Sequence, residues 1–140
     1  MSEKVIYVVE DDPDIGIALE HLLSAQGYCP CVFVSITDFH ARAKPREAVC
    51  VIIDIQMDGT GFDLKRQLSL SDPEMPIIFM TGSDTEENRS TAQQLGAAAY
   101  LPKPFGVQTL LEAIQWAERL PSLKKPVDSL FNDEGLHKAP

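Results

Sequence analysis

Five short apolar runs alternate with five stretches of helical periodicity along the chain. The runs are Lys4 to Val9, Tyr28 to Val34, Ala48 to Ile53, Pro76 to Met80 and Ala98 to Leu101. Strands that alternate with helices in this way predict an α/β domain, a parallel sheet covered by helices on both faces. In the first helical stretch Ile15, Leu19, Leu22 and Leu23 recur at helical spacing after Pro13, and Gly27 is placed to end it. The same pattern predicts helices near Ile36 to Ala43, Gly61 to Leu70, Thr85 to Leu95 and Gly106 to Leu120.

Two of these helices stand out. From Asp84 to Gln94 the sequence is almost wholly polar, and only Ala92 and Leu95 offer apolar anchorage. A helix with so few buried contacts is expected to be loosely held, either as a moving element or as a plain solvated surface helix. The last helix carries an apolar stripe at Val107, Leu110, Leu111, Ile114 and Ala117, whereas Trp116 falls roughly opposite Val107. Either a partner covers that tryptophan, or the C-terminal segment with Leu123, Val127, Leu130 and Phe131 folds back over it.

The chain has 140 residues, a common size for one domain with a single core. Its 21 acidic and 12 basic residues give a formal net charge of −9, which argues against direct binding of nucleic acid. No apolar run approaches the roughly 18 residues of a membrane span, and Met1-Ser2-Glu3-Lys4 opens without the regions of a signal peptide. The expectation is a cytoplasmic protein with no membrane contact. Cys29, Cys31 and Cys50 lie in strand-like runs, where reduced cysteine behaves as a small apolar residue. A lone Cys-x-Cys supplies too few ligands for a closed zinc site.

The chemistry gathers at the strand ends, where parallel sheets of this class bind ligands. Glu10, Asp11 and Asp12 follow the first run and Asp54 ends the third. If the fold makes these strands neighbours, each pair of like charges at about 4 Å costs on the order of 4 kcal/mol at an effective dielectric near 20. A cation relieves this, and an all-oxygen site without histidine or cysteine suits magnesium. One carboxylate then remains as a nucleophile, and Asp54, at the end of the apolar Val51-Ile52-Ile53, is the best candidate. Standing alone, it would equally well cap the following turn. The neighbouring run ends bring Thr81, a hydroxyl donor, and Lys103, an ammonium, to the same rim, and such donors stabilise a transferring phosphoryl group.

From Lys4 to about Leu120 the sequence resembles the receiver domain of bacterial two-component response regulators. The residues that carry the resemblance are Val8-Val9-Glu10-Asp11-Asp12, Val51-Ile52-Ile53-Asp54 with Met57 and Gly61, Phe79-Met80-Thr81-Gly82, and Tyr100-Leu101-Pro102-Lys103-Pro104-Phe105. The resemblance implies a flavodoxin-like doubly wound five-stranded parallel sheet in the order 2-1-3-4-5. It also implies that Asp54 accepts a phosphoryl group from a histidine on a partner kinase or phosphotransfer protein. Asp11 would bind Mg2+ directly, Glu10 largely through water, and the backbone carbonyl of Gln56 would join Asp54 in completing the metal site. Lys103 would contact the phosphoryl group, next to a cis Lys103-Pro104 bond. Thr81 would swing toward the phosphoryl oxygens and Tyr100 would turn inward, changing the surface of the fourth helix, fifth strand and fifth helix. A half-buried tyrosine that never moves is the plainer alternative.

Asp58 departs from the family pattern, which has proline there, and an extra acid beside Asp54 would either strengthen metal binding or repel the phosphodonor. Gln56 and Ser83 occupy positions that tune dephosphorylation in such domains. His21, His40 and His137 form no cluster, so the phosphodonor is expected to be another protein. An aspartate-nucleophile phosphatase of the haloacid dehalogenase type would need an aspartate where Gln56 stands. A flavin protein would want a phosphate-cradling loop where Glu10, Asp11 and Asp12 stand. A receiver-like module that binds partners without phosphorylation is the remaining rival.

The expected organisation is a receiver over 1–120 and a C-terminal tail or linker over 121–140. Output through a separate protein, through a linked domain or through phosphorylation-dependent homodimerisation all remain open.

Overall fold

The alternating pattern closes into one sheet. The computed structural model describes residues 3–57 and 60–123. The apolar runs form β1 (Val5–Val9), β2 (Cys29–Phe33), β3 (Ala48–Asp54), β4 (Ile77–Thr81) and β5 (Ala99–Pro102). All neighbours are parallel, and the sheet order is β2-β1-β3-β4-β5. The outer strand β2 carries Pro30 at its second position, opposite Ile6. Helices α1 (Pro13–Ala25), α2 (Ile36–Arg42), α3 (Gly61–Ser71) and α4 (Glu86–Gln94) make the crossovers, and α5 (Val107–Leu123) follows β5. A 3-10 turn at Pro45–Glu47 leads into β3, an element the apolar pattern does not signal.

The period of two along the strands divides the core between the faces of the sheet. Ile6, Val8, Ile52, Ile78 and Met80 pack with Leu19 and Leu23 of α1 and with Leu110 and Ile114 of α5. Tyr7, Val9, Val51, Ile53 and Phe79 face the other way, toward Phe39 of α2, Leu64 and Leu68 of α3 and Ala92 of α4. Val51, Ile52 and Ile53 are wholly buried, so the strand that presents Asp54 is held on both sides.

Local signals set the helix ends. The Asp12 carboxylate accepts from the Asp14 and Ile15 amides, Pro13 takes the first turn, and Gly27, at φ +92°, turns the chain toward β2. At the start of α3 a Cβ on Gly61 would lie 2.6 Å from Ile53 Cγ2 and 2.7 Å from the Asp54 carbonyl oxygen. Only glycine lets α3 begin so close to the end of β3.

Two expectations about the helices meet different outcomes. Helix α4 buries Ala92 alone among its own residues, as its polar sequence suggests. In α5, however, the stripe is displaced. Val107 is 47% exposed while Trp116 is 4% exposed and belongs to the core with Leu110, Ala113, Ile114 and Ala117. The buried arc centres on the middle of α5, so a position opposite Val107 lies at the edge of that arc and a large indole reaches across it. Arg119 covers the indole, its guanidinium 5.4 Å from the ring centroid. The tail residues Val127, Leu130 and Phe131, the Leu123 side chain and Asp58 lie outside the described residues.

Candidate functional site

The order β2-β1-β3-β4-β5 places the ends of β1 and β3 side by side, and the three consecutive acids after β1 then part in direction. Asp12 turns away to cap α1. Glu10 is 1% exposed; its Oε2 accepts from the Asp12 amide at 3.0 Å and its Oε1 from Lys103 Nζ at 3.1 Å. Asp11 is exposed but stays with the site: Glu10, Asp11 and Asp54 each offer an oxygen, all within 4.8 Å of one another. This spacing and its all-oxygen chemistry fit a hard divalent cation such as magnesium. Among the described residues no other group of histidine, cysteine and acid side chains has that spacing.

Asp54 ends β3 with both carboxylate oxygens engaged. Oδ1 accepts from the Gln56 amide at 2.9 Å, and Oδ2 accepts from Lys103 Nζ at 3.0 Å. The ammonium thus bridges two buried acids. Burial works against the Lys103 charge, but its hydrogen bonds to Asp54 and Glu10 outweigh that and hold its pKa above the ordinary value. For Glu10 the balance is reversed. Burial raises its pKa further than the Asp12 amide and Lys103 lower it, and nearby Asp54 adds to the rise. The bond between Lys103 and Pro104 is cis, as the resemblance implied.

Thr81 ends β4 fully buried, and its hydroxyl lies in the adjoining loop network. Oγ1 accepts from the Ser83 amide at 2.9 Å and has two acceptors in reach, Gln56 Oε1 at 3.3 Å and the Ser83 carbonyl at 3.2 Å. Gln56 Oε1 also accepts from the Gly82 amide at 2.9 Å. Sequence reading did not find this use of the Gln56 side chain, because it depends on the gap between two loops that are 25 residues apart in the chain.

Tyr100 lies on β5, beside Phe79 of β4, and is already 8% exposed. Its hydroxyl donates to Asp84 Oδ1 at 3.1 Å, and the Arg89 guanidinium stands 4.9 Å from its ring centroid. Burial and then Asp84 raise its pKa. From this position an inward turn would bury little more of the ring. Neither residue holding it was singled out in the sequence, where only the polarity of that helix was visible.

The other candidates stand apart. Cys29, Cys31 and Cys50 are free thiols, and His40 Nε2 shares a hydrogen bond with Gln67 at 2.7 Å on the surface. A cleft of 660 Å³ lies near the opposite ends of the strands, between Lys4, Arg46, Asp72, Met75 and Glu118, away from the acids.

Comparison with known proteins agrees with this fold. The sequence model of a family described as "Response regulator receiver domain" matches residues 6–115. The response regulator protein TmoT of Ectopseudomonas mendocina is 33% identical over 125 residues, 89% of this chain and 57% of that protein. The transcriptional regulatory protein CreB of Escherichia coli is 29% identical, over 82% of this chain and 54% of its own length. A receiver domain protein from Clostridium thermocellum superposes with a TM-score of 0.78 at 28% identity, covering 87% of this chain and 99% of that one. The chain spans about half the length of these curated relatives.

Proposed function

This chain belongs to the response regulator receiver family of two-component signalling, and on that premise we propose that Asp54 is its phosphoacceptor. The observation that carries the reading is the position of Lys103, whose ammonium binds Asp54 and Glu10 at 3.0 and 3.1 Å. A lysine that neutralises two buried acids at a strand end leaves one carboxylate fixed in direction and supplies a positive charge for an incoming phosphoryl group.

The reaction is transfer from a phosphohistidine of a partner kinase or phosphotransfer protein. The bond from phosphorus to the histidine nitrogen breaks as an Asp54 oxygen bonds to phosphorus, and the proton needed by the leaving imidazole comes from solvent or the donor protein. Glu10, Asp11, Asp54 and the Gln56 carbonyl would hold Mg2+, which supplies charge neutralisation at the phosphoryl oxygens. Lys103 exchanges its contact with the Asp54 oxygen for one with the phosphoryl group, and the Thr81 hydroxyl turns to donate to it. These groups assist both phosphorylation and its reversal, so the domain has a catalytic share in its own modification while remaining a signalling domain rather than a metabolic enzyme.

A receiver over residues 1–120 with a tail or linker over 121–140 fits the length shared with the relatives. Output passes through a partner protein, a linked domain or a second copy, by way of the surface around Tyr100. No described helix is long and apolar enough to cross a membrane, and a cytoplasmic site of action goes with this reading.

Incubation with acetyl phosphate and magnesium, followed by intact mass, tests it. A single phosphoryl gain that disappears in Asp54→Asn and on chelation is expected. No gain, under conditions that modify another receiver, would favour a module that binds its partners without phosphorylation.

A further inference from the structure

We propose that the Gln56 side-chain oxygen is a resident stand-in for a phosphoryl oxygen, holding the Gly82 amide and competing with the Ser83 carbonyl for the Thr81 hydroxyl, two donors that the phosphoryl group must take over. The inference rests on Asp54 being the phosphoacceptor. Gln56 is an exposed residue of the β3–α3 loop whose amide N–H fixes Asp54 Oδ1 at 2.9 Å. Its side chain crosses to the β4–α4 loop, where Oε1 receives the Gly82 amide at 2.9 Å and has the Thr81 hydroxyl at 3.3 Å. A peptide N–H and a hydroxyl converging on one oxygen are the arrangement of an oxyanion site.

The exchange runs forward because a phosphoryl oxygen carries more charge than an amide oxygen, and charge-assisted hydrogen bonds are roughly twice as strong as neutral ones. It strands no buried group. When the Thr81 hydroxyl turns away, the Ser83 carbonyl still accepts from Asn88 Nδ2 at 2.9 Å, and an exposed glutamine can swing into water. When the phosphoryl group leaves, Gln56 closes over the donors again. Gln56 is therefore a positioning residue that sets how readily the site accepts a phosphoryl oxygen, and its side chain does so independently of its backbone carbonyl.

Beryllofluoride with magnesium, titrated against the full chain and followed by the Gly82 amide resonance, tests this in wild type, Gln56→Ala and Gln56→Met. Methionine keeps the length and bulk of the side chain without its oxygen. Loss of one or two neutral hydrogen bonds to the competing oxygen should tighten binding about three- to tenfold in both variants. The free-state Gly82 resonance should move in both, with little change in Tm. Unchanged affinity in both variants, or tightening in Gln56→Ala alone, would overturn the inference, the latter pointing to simple occlusion. If wild type takes up no beryllofluoride, the Asp54 reading falls and this inference falls with it, whereas uptake insensitive to Gln56 removes this inference only.

Discussion

Tyr100 donates its hydroxyl to Asp84 at 3.1 Å, which ties β5 to the loop running from Thr81 into α4. Arg89 binds both oxygens of the same carboxylate, at 3.0 and 2.9 Å, and covers the tyrosine ring. Because α4 buries only Ala92, this polar group is much of what fastens its first turn. Asp84→Ala is expected to lower overall stability by less than about 1 kcal/mol, since the ion pair is well exposed. It should bring the Tyr100 pKa down toward 10.0. A raised tyrosine contributes stability that is complete below pH 10 and is lost as pH climbs through its folded value. Ultraviolet titration of tyrosinate, compared with Tyr100→Phe, should show one titration moving down. An unmoved titration would mean burial alone holds the hydroxyl.

Lys103→Met removes the cation shared by Glu10 and Asp54. Left without it, the two buried acids repel, and the loss should be about 1–3 kcal/mol in the presence of a chelator. Magnesium should restore part of this, so thermal unfolding with and without the metal is the measurement. Equal losses in both conditions would mean that the lysine acts through packing alone.

Gly61→Ala should destabilise the domain by about 1–3 kcal/mol, the usual range for overpacking a filled site. The new methyl meets Ile53 and the Asp54 carbonyl, so the displacement is delivered to the very strand end that presents the acid. Denaturant unfolding and the rate of modification by acetyl phosphate should fall together. A normal rate in a destabilised variant would show that α3 shifts while β3 stays in place.

Lys65 is buried on α3, and its ammonium donates to the neutral Ser69 hydroxyl at 2.8 Å. Burial lowers its pKa. The folded state therefore holds this proton less tightly than the unfolded chain does, and stability rises with pH in the window just below 10.5. At neutral pH the cost is fully present. Lys65→Met should stabilise the protein by about 1 kcal/mol and flatten that rise, as chemical unfolding at neutral and alkaline pH would report. Destabilisation at both would show that the Ser69 contact outweighs the burial.

The strand ends were readable because continuous apolar runs stop at the residues that matter: Val51-Ile52-Ile53 points to Asp54, and Tyr100-Leu101-Pro102 leads to Lys103. Adjacency in the sheet then gathers those ends, which a recurrent topology makes predictable. Roles set by side-chain reach were not readable. Asp12 directly before Pro13 reads as a helix cap, but nothing in the run Glu10-Asp11-Asp12 says how the first two acids share the site, one buried against Lys103 and the other exposed. The contact of Arg89 with Tyr100 joins α4 to β5 across the surface, and the burial of Trp116 depends on the breadth of the α5 packing arc rather than on spacing alone.

Pro30 limits how the sheet can be used. The Cys29 amide points inward to the Lys4 carbonyl, so by the alternation of a parallel strand the next nitrogen along faces the free edge of β2. That nitrogen is a proline's and has no hydrogen to donate. An intruding strand would find a gap near the start of a ladder only five residues long, so sheet extension on this side is discouraged for partner and aggregate alike. Recruitment at that flank therefore falls to side chains on helices and loops, whose shape and charge can change with the state of the site, and not to main-chain pairing, which cannot.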